Sequence, residues 1–242
     1  MLFRLSGGIY IQPPFYRELR MFDGSLVSPE EASTQKSYQV VLTHEYKFDA
    51  WNRPFILTSE FYYKYLKDII PYEVDNIRIR YYADQKATGY ATGLDLRLNG
   101  EFVKGIESWA SLSLMKTAES IKYYLSPSGE ILSQTDINNG ETYISDTLIT
   151  GIPRPSDQRI NFSLFFQDYI PFIPSFKVNL KLVFGTGMPF GAPHTERYQQ
   201  KKRMSAYRRI DIGFSKRLIS EKTSCGSNNP LRFIRNSWIS LE

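Results

Sequence analysis

The sequence predicts an all-β chain: an antiparallel transmembrane β-barrel segment of about nine to ten long strands, with long loops at one end and short turns at the other. Three observations predict it. Apolar residues recur at every second position, the period of a strand, in stretch after stretch. These stretches run about eight to fourteen residues, against a mean of ~5–6 in soluble proteins. The connections between them alternate long and short, which places every long one at the same end of an antiparallel sheet.

Each element follows from its alternation. Phe3, Leu5, Ile9 and Ile11 oppose Arg4, Ser6, Tyr10 and Gln12. Tyr38, Val40, Leu42, His44, Tyr46 and Phe48 oppose Gln39, Val41, Thr43, Glu45 and Lys47. Phe55, Leu57, Ser59, Phe61, Tyr63 and Tyr65 oppose Ile56, Thr58, Glu60, Tyr62 and Lys64. Tyr90, Thr92, Leu94, Leu96 and Leu98 oppose Ala91, Gly93, Asp95, Arg97 and Asn99. The stretch 103–117 reads as a strand whose faces the sequence does not separate. Ile160, Phe162, Leu164 and Phe166 form the next apolar face, and Phe176, Val178, Leu180, Leu182 and Phe184 the one after. Ile210, Ile212 and Phe214 follow, and 235–242 still alternates where the sequence stops.

The connections read 13–36 long, 49–52 short, 67–87 long, Asn99-Gly100 a tight hairpin turn, 118–157 the longest, 168–174 short, 186–206 long and 218–234 intermediate. Thr142-Tyr143-Ile144-Ser145 marks a possible extra strand inside 118–157. Ser28-Pro29-Glu30-Glu31 has the look of a helix start.

Composition excludes other classes. Lys+Arg 30 against Asp+Glu 25 leaves +5, spread along the chain, which is no nucleic-acid footprint. The single cysteine, Cys225, excludes an intrachain disulfide framework and a cysteine zinc site. His44 and His194 leave little for a histidine-rich metal site or a Ser-His-Asp triad, and neither a metal nor a cofactor is expected. No apolar run approaches the ~18 residues of a membrane helix. The unusual component is aromatic: 17 Tyr, 16 Phe and 3 Trp, 15% of the chain. A dry core does not absorb that many phenol groups cheaply, since each buried hydroxyl needs a partner. The aromatic girdles of a membrane barrel keep such rings half wet. A soluble sandwich also alternates, but charges along the opposite faces (Arg97, Glu107, Arg159, Lys177, Lys181, Arg209, Asp211) and aromatics near the strand ends favour the barrel.

Four stretches resemble the barrel of TonB-dependent outer-membrane receptors of the Bacteroidetes type. They are Gly7-Gly8-Ile9-Tyr10-Ile11-Gln12-Pro13-Pro14-Phe15-Tyr16-Arg17-Glu18-Leu19, Ala87-Thr88-Gly89-Tyr90-Ala91-Thr92-Gly93-Leu94-Asp95 with Asn99-Gly100-Glu101-Phe102-Val103, Ile152-Pro153-Arg154-Pro155-Ser156-Asp157-Gln158-Arg159, and Tyr207-Arg208-Arg209-Ile210-Asp211-Ile212-Gly213-Phe214. The resemblance spans nearly the whole chain and rests on structural rather than catalytic motifs. It implies a 22-stranded outer-membrane barrel with an N-terminal plug, importing a siderophore, cobalamin, haem or glycan with energy from TonB. Residues 1–242 are then expected to be the C-terminal portion of that barrel, without plug, signal peptide or final strand. The partners expected are outer-membrane lipid and lipopolysaccharide, the plug domain, TonB, and a small-molecule or oligosaccharide ligand, with no nucleic acid. The expected location is the bacterial outer membrane.

Candidate sites follow from that frame. Long loops on a rigid scaffold carry recognition, and their Arg and Tyr residues suit anionic or ring-bearing ligands. The candidates are Tyr16, Arg17, Arg20, Tyr72, Arg78, Arg80, Tyr81, Tyr82 and His194. Asn76–Tyr82 also reads as the outer extension of a strand. Arg97, Arg159, Lys181 and Arg209 are expected to face the lumen and plug. The basic run 199–203 reads as a solvated loop, or as a contact for lipopolysaccharide. Catalysis has little support: His44 and Glu45 point to opposite faces, and no helix follows Gly185-Thr186-Gly187 to make a phosphate loop. The competing expectations are a complete small barrel of eight to ten strands, acting as an outer-membrane enzyme or adhesin, and more distantly a soluble β-sandwich.

Overall fold

The computed structural model describes residues 1–20, 24–27, 34–75, 78–138, 140–170, 173–192, 195–218 and 233–241. Among them lie fifteen strands: β1 (Leu2–Gln12), β2 (Gln35–Ala50), β3 (Arg53–Ile69), β4 (Tyr72–Asp75), β5 (Arg78–Tyr81), β6 (Ala87–Val103), β7 (Ile106–Leu125), β8 (Ile131–Leu132), β9 (Ser145–Pro153), β10 (Ile160–Ile170), β11 (Ile173–Gly185), β12 (Pro189–Phe190), β13 (Lys202–Arg203), β14 (Tyr207–Leu218) and β15 (Phe233–Leu241). A short helix α1 (Gln134–Asn138) and 3-10 turns at Tyr16–Leu19 and Arg197–Gln199 sit in the loops. Among the described residues no helix is long and apolar enough to cross a membrane.

One antiparallel sheet dominates, in the order β1-β2-β3-β6-β7-β10-β11-β14-β15, with β8 and β9 also paired to β7. β1 pairs with β2 and β15 with β14, and the two ends of this path are not joined to each other. Among the described residues the sheet is a single layer rather than half of a sandwich. The chain exposes 16594 Å², whereas a compact soluble monomer of its mass exposes about 11,000 Å².

The register sorts the two faces. On one, Tyr46, Leu57, Leu98, Ala110, Leu164, Leu182 and Ile210 lie side by side across seven strands. Leu5, Leu42, Phe61, Leu94, Leu114 and Ile160 make a second apolar row. On the other face, Arg4, Thr43, Glu60, Asp95, Ser113 and Asn161 lie side by side. The apolar face is open to its surroundings: Val40 is 53% and Phe61 53% exposed.

Rings mark both ends of that face. At the long-loop end Tyr38, Tyr65 and Tyr90 are register partners on three neighbouring strands. At the short-turn end Phe48 stacks on Phe55 with centroids 5.7 Å apart, and Phe102 and Trp51 meet Phe55 edge-on at 5.2 and 5.8 Å. The ten residue-to-residue steps from Tyr38 to Phe48 span about 34 Å along the strand.

Among the described residues, tight turns fall at Trp51-Asn52 and Lys104-Gly105. Trp51 and Asn52 both have positive φ, 52° and 56°, as a two-residue hairpin turn of type I′ demands. The expected turn at Asn99-Gly100 is corrected: both residues lie inside β6, and the chain reverses at Lys104-Gly105, where Gly105 has φ 74°. Gly100 serves another purpose. A Cβ there would lie 2.2 Å from Phe55 Cδ1, so the glycine makes room for the Phe55 ring.

Two more expectations change. Residues 118–125 continue β7 instead of forming a loop, and β9, starting at Ser145, pairs with this extension. The suspected extra strand therefore exists but lies just beyond the residues that suggested it. Asn76–Tyr82 does not extend a wall strand: β4 and β5 form a separate hairpin within the loop, while 76–77 are outside the described residues. The faces of the 103–117 stretch are now assigned. Leu112 and Leu114 join the apolar face, and Ser111 and Ser113 the polar one. The suggested helix start at 28–31 falls outside the described residues.

Candidate functional site

Arg97, Lys181 and Arg209 lie on the polar face of the sheet, and Arg159 immediately precedes β10. Arg97 is register partner to Thr58 and Ser111, and the same row continues through Ser163 and Val183 to Arg209. Lys181 lies opposite Asp211. Arg209 Nε donates to Asp211 Oδ1 at 2.8 Å, and Arg159 Nε to Asp157 Oδ2 at 2.8 Å. Arg97 lies over the Trp109 ring at 5.5 Å. Such a face is wettable and studded with fixed charge along its length.

At the long-loop end this face is no longer open. On β7 the apolar side gives way to Lys116, Ser120 and Lys122, with Lys122 Nζ 2.8 Å from Asp146 Oδ2 in the exposed β9 edge. The polar side of the same extension carries Glu119, Ile121 and Tyr123. Ile121 and Tyr123 pack with Ile69, Ala87 and Ile152 in the main buried apolar cluster. The chain segment 195–206 lies over that cluster, bringing Tyr198 edge-on to Tyr123 at 5.1 Å.

Two arginines from this segment clasp two buried carboxylates. Arg197, 1% exposed, places Nη2 2.8 Å from Glu119 Oε1 and also donates to the Pro153 carbonyl at 2.6 Å. Arg154 approaches Glu119 from the other side, 3.4 Å from Oε2. Arg203 ion-pairs with Asp157 and donates to the Asp157 carbonyl at 2.7 Å and the Gly187 carbonyl at 3.1 Å. Asp157 Oδ1 in turn accepts the Thr117 amide at 2.8 Å, where β9 breaks off and β10 begins. Burial pushes the Glu119 carboxyl above its ordinary range, although Arg197 and Arg154 pull the other way. A carboxylate with no solvent contact loses more hydration than the two guanidiniums restore. Burial likewise pushes the Tyr123 hydroxyl up.

The β4–β5 hairpin is tied into the same assembly. Tyr82 donates to Glu73 Oε2 at 3.0 Å, and Gln200 Nε2 donates to the same oxygen. Arg154 lies over the Tyr72 ring at 5.8 Å, and Tyr72 faces Tyr81 at 6.0 Å. β5 rests against the 3-10 turn that carries Tyr16 and Arg17, close enough for Arg17 to lower the proton affinity of Tyr81 against the larger effect of burial.

The loop candidates therefore divide. Arg17, Tyr72, Arg80 and Tyr81 come together on one rim, with Tyr16, Arg20 and Arg78 exposed around it. Tyr82 is 8% exposed and spends its hydroxyl on Glu73, so it builds the loop rather than offering a ligand contact. His194 and Cys225 lie outside the described residues. In the basic run, Arg203 is committed to Asp157, while Lys201 and Lys202 are exposed. His44 lies on the apolar face, stacked on Phe3 at 4.6 Å, with Glu45 on the opposite face. Gly187 lets the chain pass against the Met204 carbonyl, where a Cβ would lie 1.7 Å from the oxygen. Among the described residues no cluster of His, Cys, Asp and Glu is placed to hold a metal ion.

Sequence reasoning missed the Glu119 and Asp157 clasps. A weak signal was present: Glu119 is a lone charge among Thr117, Ile121 and Tyr123 on a strand face that is otherwise becoming apolar. No family model, curated protein or solved structure matches the chain.

Proposed function

We propose that the chain is a stretch of outer-membrane β-barrel wall from a receptor of the TonB-dependent kind, taking up a scarce nutrient such as a siderophore, cobalamin, haem or glycan. The observation that carries the membrane part is the apolar face about 34 Å long between two aromatic rows, which would stand about 26 Å tall at the ~40° strand tilt of a barrel. That height suits the ~25 Å apolar band of an outer membrane, and the rings suit its two interfaces. The receptor part is supported by the sequence resemblance, by a charged inner face suited to a plug, and by the Arg and Tyr residues on the long-loop rim. Hydrocarbon supplies no partner for open strand edges, so β1 and β15 must find strand partners in the membrane. The alternative of a small barrel closing on itself is less favoured, because β1 and β15 are not paired to each other.

Alternate-face labelling tests the membrane reading. Single Cys variants at Leu42, Phe61 and Leu94 are expected to resist a water-soluble maleimide in vesicles, whereas Thr43, Glu60 and Asp95 variants react. Equal labelling on both faces, in a detergent-free monomer, overturns the reading. Uptake of a nutrient by cells carrying the full receptor gene, and its loss on deleting the 70–86 loop, tests the receptor part.

A further inference from the structure

We infer that segment 195–206 is a strap that holds the β4–β5 hairpin down as a flap, so that strap and flap open as one unit. The strap grips at every third residue, and each grip falls on a carboxylate of a different element. Arg197 reaches Glu119 on β7 at 2.8 Å, Gln200 donates to Glu73 on β4, and Arg203 pairs with Asp157 between β9 and β10. The spacing has a local cause. Arg197–Gln199 is a 3-10 turn, whose three residues per turn carry Arg197 and Gln200 to the same side. Arg197 and Gln200 are buried, whereas Gln199, Lys201 and Lys202 lie between the grips and are exposed. Gly191 leaves room for the middle grip: a Cβ there would lie 2.2 Å from Gln200 Cγ.

The hairpin that brings Tyr72 and Tyr81 to the rim depends on these grips twice. Glu73 Oε2 accepts from Gln200 as well as from the Tyr82 hydroxyl at 3.0 Å. Tyr72 lies under Arg154 at 5.8 Å, and Arg154 stands 3.4 Å from the same Glu119 that Arg197 clasps. Releasing the strap takes an N–H donor from Glu73 and leaves Glu119 to Arg154 alone, which draws that guanidinium away from the Tyr72 ring. The grips do not let go one at a time. The side chains of Glu119 and Asp157 have no exposed surface, so breaking a single pair strands a desolvated charge, whereas full opening returns both carboxylates to water. This coupling lies in the loops and the strand ends they cover, and is independent of whether the wall spans a membrane.

Amide exchange on the intact protein tests the coupling. The Gln199 N–H, bonded to the Glu196 carbonyl at 2.9 Å, reads the strap, and the Tyr82 N–H, bonded to the Pro71 carbonyl at 2.9 Å, reads the flap. The Met115 N–H, bonded to the Arg159 carbonyl at 3.0 Å, reads the wall. Arg203→Met removes the grip whose partners, Asp157 and Gly187, lie outside the flap. It is expected to speed exchange at Gln199 and at Tyr82 by the same factor, about ten-fold or more, with Met115 within about two-fold of the parent. Gly191→Ala leaves every charge in place and crowds only the middle grip; it is expected to speed both amides together by a smaller factor. Acceleration at Gln199 with Tyr82 held within about two-fold of the parent overturns the coupling. So does equal acceleration at Met115, which marks loosening of the wall instead of release of a strap. No acceleration at Gln199 in either variant overturns the strap itself.

Discussion

Replacing Arg197 with Met removes the guanidinium from the Glu119 clasp while keeping most of the side chain's length. Glu119 is then left with Arg154 at 3.4 Å as its remaining ionic neighbour, and the Pro153 carbonyl loses its 2.6 Å donor. Removing one member of a buried ion pair typically costs ~3–5 kcal/mol, because the surviving charge stays desolvated. Glu119 has no exposed side-chain surface, so the full effect is expected here. The cost falls on the docking of segment 195–206 onto β7. Amide exchange at Gln199, whose N–H bonds the Glu196 carbonyl at 2.9 Å, reads that docking directly. A loss of ~3–5 kcal/mol accelerates exchange by about 150- to 5,000-fold. Glu119→Gln/Arg197→Met removes the stranded charge as well, and is expected to recover ~2 kcal/mol or more of the loss. An Arg197→Met protein that protects Gln199 within a factor of two of the parent refutes the reasoning. So does a double variant as labile as the two single effects added.

Two further predictions follow from the same geometry. Because burial raises the Glu119 carboxyl above its ordinary 4.5, the folded chain binds a proton there that the unfolded chain has already released. The stability Glu119 draws from that proton is fully present below the ordinary value and is lost as pH rises through the raised one. The difference in unfolding free energy between parent and Glu119→Gln should therefore shift against the parent as pH rises through that window, with a slope of at most ~1.4 kcal/mol per pH unit; a flat difference counts against the raised value. At the other end of the wall, Gly100→Ala pushes a methyl to within 2.2 Å of the Phe55 ring and is expected to cost ~1–3 kcal/mol. Phe55→Leu added to it should restore part of that loss in urea unfolding at fixed detergent, and an unchanged midpoint for Gly100→Ala alone would count against the close contact.

The sheet was legible because its apolar and polar faces write a period-two code in the sequence. Leu42, Phe61 and Leu94 must alternate with Thr43, Glu60 and Asp95 whatever the loops do. Turn position was less legible, because Asn99-Gly100 has the chemistry of a hairpin turn but its glycine answers to Phe55 on the neighbouring strand. The same limit hid the clasps. Glu119 meets Arg197, and Asp157 meets Arg203, across long separations set by the folding of a loop rather than by strand alternation. Tyr82 looked like a ligand contact because an aromatic beside arginines in a loop carries no mark of burial. Only its bond to Glu73 gives that away.

The placement of the clasps also sets an order of events. β6 and β7 are joined by a two-residue turn and can zip together early, because closing so short a loop costs little entropy. Segment 195–206 has nothing to dock on until β7 and the connection from β9 to β10 are in place, since Glu119 belongs to β7 and Asp157 to that connection. Docking is thus expected to follow assembly of the sheet. Loss of the Arg197 clasp should leave the folding rate almost untouched and speed the opening of the loop, so the clasps act on how long the rim stays closed rather than on whether the wall is built.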